Sequence, residues 1–227
     1  MYISSLKVLS LAALASLVSG AKVIVKNQCG APAHVGQQTN GNGNADGFAV
    51  IAPGADRTYT VPDNWAGRFW GRTNCEGESC KAVAGAAAPA SLAEIAFNQW
   101  GGNDFYDVSF VDGFNLPMKM EPVGGKTDGS KYRCTPAACA KVPDCTDEAM
   151  KVKGPDGKVA ACKSACSAYQ KEELCCTGAH STPETCGPSE NSKFVKAACP
   201  DAYSYAYDDP TSTFACHAST YNVILCP

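Results

Sequence analysis

The sequence predicts a secreted, mainly β protein stapled by disulfides, and three observations carry that expectation. Fourteen cysteines, an even number, leave every one able to pair. They stand behind an N-terminal segment in which Lys7 is followed by the apolar run Val8 to Val18 and then by the small residues Ser19, Gly20 and Ala21. That is the pattern of a secretory signal peptide over residues 1–20, cleaved after Gly20, and in an exported chain many cysteines read as a disulfide framework. Third, β-branched and aromatic runs recur at short spacing between Gly, Asn, Pro and Asp clusters, as in an antiparallel sandwich or barrel.

Taken in order, the first strands fall at Val23 to Val25, Phe48 to Ile51, Arg57 to Val61 and Arg68 to Trp70, with Thr39 to Gly47 an Asn/Gly-rich turn. Only Cys29, Cys75 and Cys80 precede residue 130, whereas nine of the fourteen cysteines lie between Cys134 and Cys199, so the composition shifts midway. The cysteine-rich stretch carries short helical patterns near Cys162 to Tyr169 and at Ser189 to Ala198, joined by loops rich in Gly and Pro. Pieces this short lack a core of their own and depend on cross-links. Strand character returns at Thr211 to Cys216 and Tyr221 to Cys226, so the end of the chain is expected to rejoin the first sheets.

Charge narrows the function. The full chain has a formal net charge of −3, and loss of the leader with its single Lys gives 18 − 22 = −4 over 207 residues. No Lys/Arg run occurs, which argues against nucleic acid or anionic lipid as a partner, since both require a concentrated basic surface. The leader's apolar run is shorter than the roughly 20 residues of a membrane span, and no later stretch approaches that length, so a span is not expected. His34, His180 and His217 show no metal-ligand spacing, and neither a phosphate loop nor a serine-nucleophile elbow is present. No metal and no cofactor are therefore expected.

Two blocks are more specific. Ser91 to Gln99 followed by Asp104-Phe-Tyr-Asp107 and Val111-Asp112-Gly-Phe-Asn-Leu-Pro-Met118 is one, and Cys199-Pro-Asp201 to Phe214 with the ending Tyr221 to Pro227 is the other. Together with Arg68-Phe-Trp-Gly-Arg72-Thr, the tandem Cys175-Cys176 and the opening Val23 to Cys29, they resemble the thaumatin-like family over most of residues 22 to 227. The resemblance implies a flattened β-sandwich over 21–137 and 200–227, a disulfide-rich domain of loops and short helices over 138–199, and an acidic groove between them. It also implies the pairs Cys29–Cys226, Cys75–Cys80, Cys134–Cys216, Cys139–Cys199, Cys145–Cys162, Cys166–Cys175 and Cys176–Cys186. Longer members carry sixteen cysteines; here Lys81 to Pro89 is a short Ala/Gly-rich passage, so the small loop region at about 73–92 is truncated and one groove wall is expected to be lower.

By the same resemblance the groove's residues are Arg68, Glu94, Asp107, Asp112 and Asp201. Carboxylates beside one guanidinium suit a neutral, hydroxyl-rich polymer, because they accept hydrogen bonds from sugar hydroxyls while the guanidinium fork holds one of them in place. Crowded like charges also raise a carboxyl pKa, as a general acid needs. The implied activity is binding, and slow hydrolysis, of β-1,3-glucan or a related cell-wall polysaccharide by a monomer. Glu94 would be the proton donor and Asp112 the carboxylate that activates water or attacks, with Arg68, Asp107 and Asp201 holding hydroxyls. The alternative is a non-catalytic antifungal, defence or cell-wall protein, or an inhibitor of another secreted hydrolase.

Plainer readings accompany these residues. Ser91-Leu-Ala-Glu94 also fits a capping box opening a short helix toward Gln99. Asp107 and Asp112, five apart, would face opposite sides of an unbroken strand, so both reach one groove only if the chain turns between them. Arg72 has the strand parity of Arg68 and is the runner-up cation, with a structural salt bridge as its plainer role. Of Trp100, Phe105, Tyr106, Phe114, Tyr203, Tyr205 and Tyr207, most are expected in the core, with some offering ring faces to sugars.

Overall fold

A computed structural model describes residues 20–227; the expected leader lies, but for Gly20, outside the described residues. In chain order the strands are β1 Ala21–Asn27, β2 Ala33–Thr39, β3 Gly47–Ile51, β4 Asp56–Val61, β5 Ala66–Arg72, β6 Leu92–Ala96, β7 Asp104–Ser109, β8 Met118–Pro122, β9 Ala137–Cys139, β10 Lys151–Lys153, β11 Val159–Cys162, β12 Phe214–Cys216 and β13 Thr220–Leu225. The helices are short: α1 Ala165–Tyr169, α2 Glu172–Cys175, α3 Glu190–Ala198 and α4 Asp209–Ser212.

Two sheets face each other, one ordered β4-β1-β13-β8-β9 and the other β12-β7-β6-β5-β2-β3, with β10-β11 a separate hairpin. Alternation along the strands decides which side is buried. In β1, Ala21, Val23, Val25 and Asn27 are buried while Lys22 is exposed. From the six-stranded sheet Phe69, Ala93, Ile95, Tyr106 and Val108 turn inward to meet Val23, Val25, Met118, Met120, Tyr221 and Val223 of the other sheet. Each such large side chain removed from water contributes roughly 1.5–3 kcal/mol. The closing strand β13 runs parallel to β1 in the middle of its sheet, so the end of the chain rejoins the sheet where the chain began.

The outward face of the six-stranded sheet carries the alternate residues. There Trp70 and Leu92 form a small second core with Ala84 and Ala90 of the Ala/Gly-rich passage, which thus lies packed on the sheet. All fourteen cysteines are paired, as Cys29–Cys226, Cys75–Cys80, Cys134–Cys216, Cys139–Cys199, Cys145–Cys162, Cys166–Cys175 and Cys176–Cys186, the pairs that the resemblance implies. No helix among the described residues is long and apolar enough to cross a membrane.

Three local expectations are corrected. Ser91 opens no helix: Leu92–Ala96 is a strand in the interior of the sheet. Its hydroxyl instead donates to the Leu116 carbonyl (2.7 Å) and accepts from the amides of Asn115 and Leu116. Pairing with β5 and β7 satisfies far more backbone than one capping box could. The stretch from Thr211 becomes a strand only at Phe214, because Pro210 in the first turn of α4 favours a helical start. Finally Cys162 ends β11, and the helix near it begins at Ala165 behind the Ser164 cap.

Candidate functional site

Strand register builds the site. Arg68 pairs with Gln38 on one side and Glu94 on the other, and Glu94 pairs with Asp107, so four polar residues from β2, β5, β6 and β7 form one row across the outward face. The chain then turns. The Gly113 amide donates to the Phe110 carbonyl (2.9 Å) with Gly113 at φ +110°, and a Cβ there would lie 2.3 Å from the Cys162 carbonyl oxygen. Only glycine fits. The turn carries Asp112 back over the row, where Arg68 Nη1 stands 3.5 Å from Asp112 Oδ2. Arg68 is further fixed by donation from Nε to Gln38 Oε1 (2.9 Å) and from Nη2 to the Ala84 carbonyl (3.1 Å).

Arg68, Glu94, Asp107 and Asp112 line an open cavity of about 550 Å³ together with Ser109, Tyr203, Asp209 and Thr213. That volume is within the range of ligand clefts. The carboxyls in it differ. Burial raises the Glu94 pKa; Arg68 and a hydrogen bond with Ser109 oppose the rise, and Asp112 adds to it. Asp107 is pushed well above the usual carboxylate range, first by burial and then by the charges of Glu94 and Asp209. Its Oδ1 is buried and has no hydrogen-bond partner, which a neutral carboxyl tolerates far better than a charged one. The cavity therefore offers a paired carboxylate, Asp112, and carboxyls inclined to hold protons, Glu94 and Asp107.

Asp201 is corrected. It does not line this cavity: Lys131 Nζ lies 2.8 Å from its Oδ1, and its Oδ2 takes a hydrogen bond from the Ala138 amide. The extra acid is Asp209, which lines the cavity and whose Oδ1 accepts from the Tyr203 hydroxyl (3.2 Å). Sequence reasoning missed it because Asp208 and Asp209 are adjacent and alike. The structure separates them: Asp208 is buried against Lys196 (3.1 Å) and Ser204, whereas Asp209 is exposed at the groove.

Arg72 lies outside the groove and makes no salt bridge among the described residues; it donates to the carbonyls of Ala82 (2.8 Å) and Ala88 (2.7 Å). Of the aromatics, Tyr106 and Phe114 are core, Phe105 and Tyr203 line the groove, and Trp100 is 85% exposed on the β6–β7 connection. One grouping of potential metal donors, His34 with Cys75 and Cys80, has both sulfurs in a disulfide and hence no thiolate to offer.

Comparison with known proteins places this geometry. A model of the thaumatin family matches residues 27–227. The chain is 42% identical over 231 residues to thaumatin-like protein 1 of Pyrus pyrifolia, covering 92% of each chain. It is 42% identical over 195 residues to pathogenesis-related protein 5 of Arabidopsis thaliana, covering 80% of each. A Prunus avium protein named glucan endo-1,3-beta-glucosidase is 43% identical over 195 residues, with 78% of each chain covered.

Proposed function

Because the chain belongs to the thaumatin family, we propose that it is a secreted protein whose acidic groove binds β-1,3-glucan of cell walls and cleaves it slowly. One observation carries the reading: carboxyls of different character, Glu94 and Asp112, share an open groove with a fixed guanidinium between elements that are distant in sequence. Glu94, whose pKa is raised first by burial, donates its proton to the glycosidic oxygen. Asp112, which faces Arg68, activates water or attacks the sugar carbon. Asp107 and Arg68 hold hydroxyls, the first as a neutral donor and the second through its fork. Asp209 takes the place first expected of Asp201 at the groove's edge. A relative named for endo-1,3-β-glucosidase activity supports the choice of polymer.

Binding without turnover is the second reading, favoured by the Arg68–Asp112 pair: a carboxylate oxygen already facing a guanidinium is less free to attack or to orient water. It would fit a defence protein, in keeping with the relative named pathogenesis-related protein 5. Retention on insoluble β-1,3-glucan, measured alongside release of reducing ends from laminarin, separates the two. If Glu94→Gln and Asp112→Asn both leave sugar release unchanged, the catalytic reading fails while glucan recognition stands. If the wild-type protein is not retained on glucan at all, both fail.

A further inference from the structure

A second cavity, of about 310 Å³, lies on the outward face of the same sheet between the Cys75–Cys80 loop and the β10–β11 hairpin, and it shares no lining residue with the groove. No Asp or Glu lines it, although the chain as a whole is acidic. Arg72 does, and that side chain is unusual: the residue is only 8% exposed, yet its partners are two backbone carbonyls, Ala82 and Ala88. A buried cation without a counter-charge is costly, and carbonyl dipoles offset only part of that cost. Burial lowers the Arg72 pKa to about 10 for this reason. Nη1 and Nη2 each give one N–H to a carbonyl, whereas Nε has no partner among the described residues and is not sealed from solvent, on a side chain that lines the cavity.

A second cation faces the same space. Lys153 of the β10–β11 hairpin lines the cavity, is exposed, and pairs with no carboxylate among the described residues. Its hairpin neighbours differ: Lys151 pairs with Glu148 and Lys158 with Asp156. Asp156, the nearest acid in sequence, is not a lining residue; its Oδ1 accepts from Asn74 Nδ2 (2.9 Å) and from the Lys158 amide (3.0 Å). The Asn74 side chain also packs so closely on Gly154 that a Cβ there would meet it at 2.4 Å, which fixes the hairpin against the loop. The walls are thus preformed.

We propose that this cavity binds a small organic carboxylate, with the charge on Arg72 and Lys153 and the apolar part against Ala82, Pro89 and Val152. The planar fork matches a carboxylate, and the apolar wall favours an organic acid over an inorganic oxyanion. Nothing in this assignment depends on glucan recognition in the groove.

Benzoate, acetate and inorganic phosphate, each titrated at constant ionic strength into the disulfide-bonded protein and followed by amide and Arg side-chain NMR shifts, test it. Benzoate is expected to shift the amides of Thr73, Asn74 and Lys153 and the Arg72 Nε–H saturably, with a Kd of about millimolar order. Acetate should bind more weakly and phosphate more weakly than benzoate. Lys153→Gln alters one exposed side chain and should weaken benzoate about three- to fivefold. Arg72→Lys should abolish saturation, and because it also removes ties to Ala82 and Ala88, the Lys153 variant is the deciding one. Absence of saturable shifts at these residues, equal affinity in Lys153→Gln, or tighter binding of phosphate than benzoate overturns the assignment.

Discussion

Glu94 and Asp107 are cross-strand neighbours bearing the same functional group, yet their surroundings differ. Glu94 keeps the partners Arg68 and Ser109, whereas Asp107 has carboxylates on both sides and one oxygen without a partner. Asp107 titrates at about 3.9 when unfolded and higher when folded, so across that window the native state holds more protons and stability falls as pH rises. Asp107→Asn should remove this penalty, raising Tm at pH 7 by a few degrees, on the order of 2–4 °C per kcal/mol, while leaving Tm near pH 3 little changed. Thermal denaturation across pH checks it, and a Tm at pH 7 no higher than wild type contradicts a strained carboxyl. For Glu94 the sign concerns rate: in the proposed mechanism the general acid must be protonated, so laminarin cleavage should decline as pH rises through its raised pKa. Glu94→Gln should lower that cleavage at least about 100-fold without loss of retention on insoluble glucan.

At the scale of elements, β6 shows tertiary pairing overriding a local motif. Ser91 and Glu94 have capping-box spacing, but the segment is claimed by strands on both sides, and Glu94 is thereby placed in a row with Arg68 and Asp107. The turn after β7 is the other determining element, because it alone returns Asp112 to that row. Gly113→Ala forces a Cβ against the Cys162 carbonyl and Pro89 at a φ that side chains rarely adopt. We expect a loss of about 2–4 kcal/mol, read by denaturant unfolding. Weaker glucan retention should accompany it, since Arg68 loses its fixed partner. Unchanged stability would mean that the turn is far more pliable than its contacts indicate.

For the whole molecule, Cys29–Cys226 spans a sequence separation of 197 and joins the ends of β1 and β13, strands already paired in parallel. In the chain-entropy view so long a loop contributes about 5 kcal/mol, chiefly by restricting the unfolded chain. The Cys29→Ser, Cys226→Ser double variant should therefore fold with the same sheets but unfold at markedly lower denaturant concentration and yield sooner to protease. Cys75–Cys80 closes only a separation of 5, and its removal should cost less globally while loosening the cavity at Arg72.

Much of this was legible in one dimension. β-Branched and aromatic runs such as Val23 to Val25 and Phe48 to Ile51 announce strands because such side chains favour extended backbone locally, and the cysteine framework and the blocks around Asp107 and Asp201 point to the family. What could not be read is which of several like residues meets the groove. Asp201 and Asp209 both sit in the same distinctive block, but Lys131 captures the first and the path through α4 presents the second. Arg72 has the parity of Arg68 and differs from it only in what packs above. Sequence determines propensity, alternation and the stock of charges; the positions of those charges relative to one another depend on register, turns and loop packing between distant segments, and only the folded chain decides them.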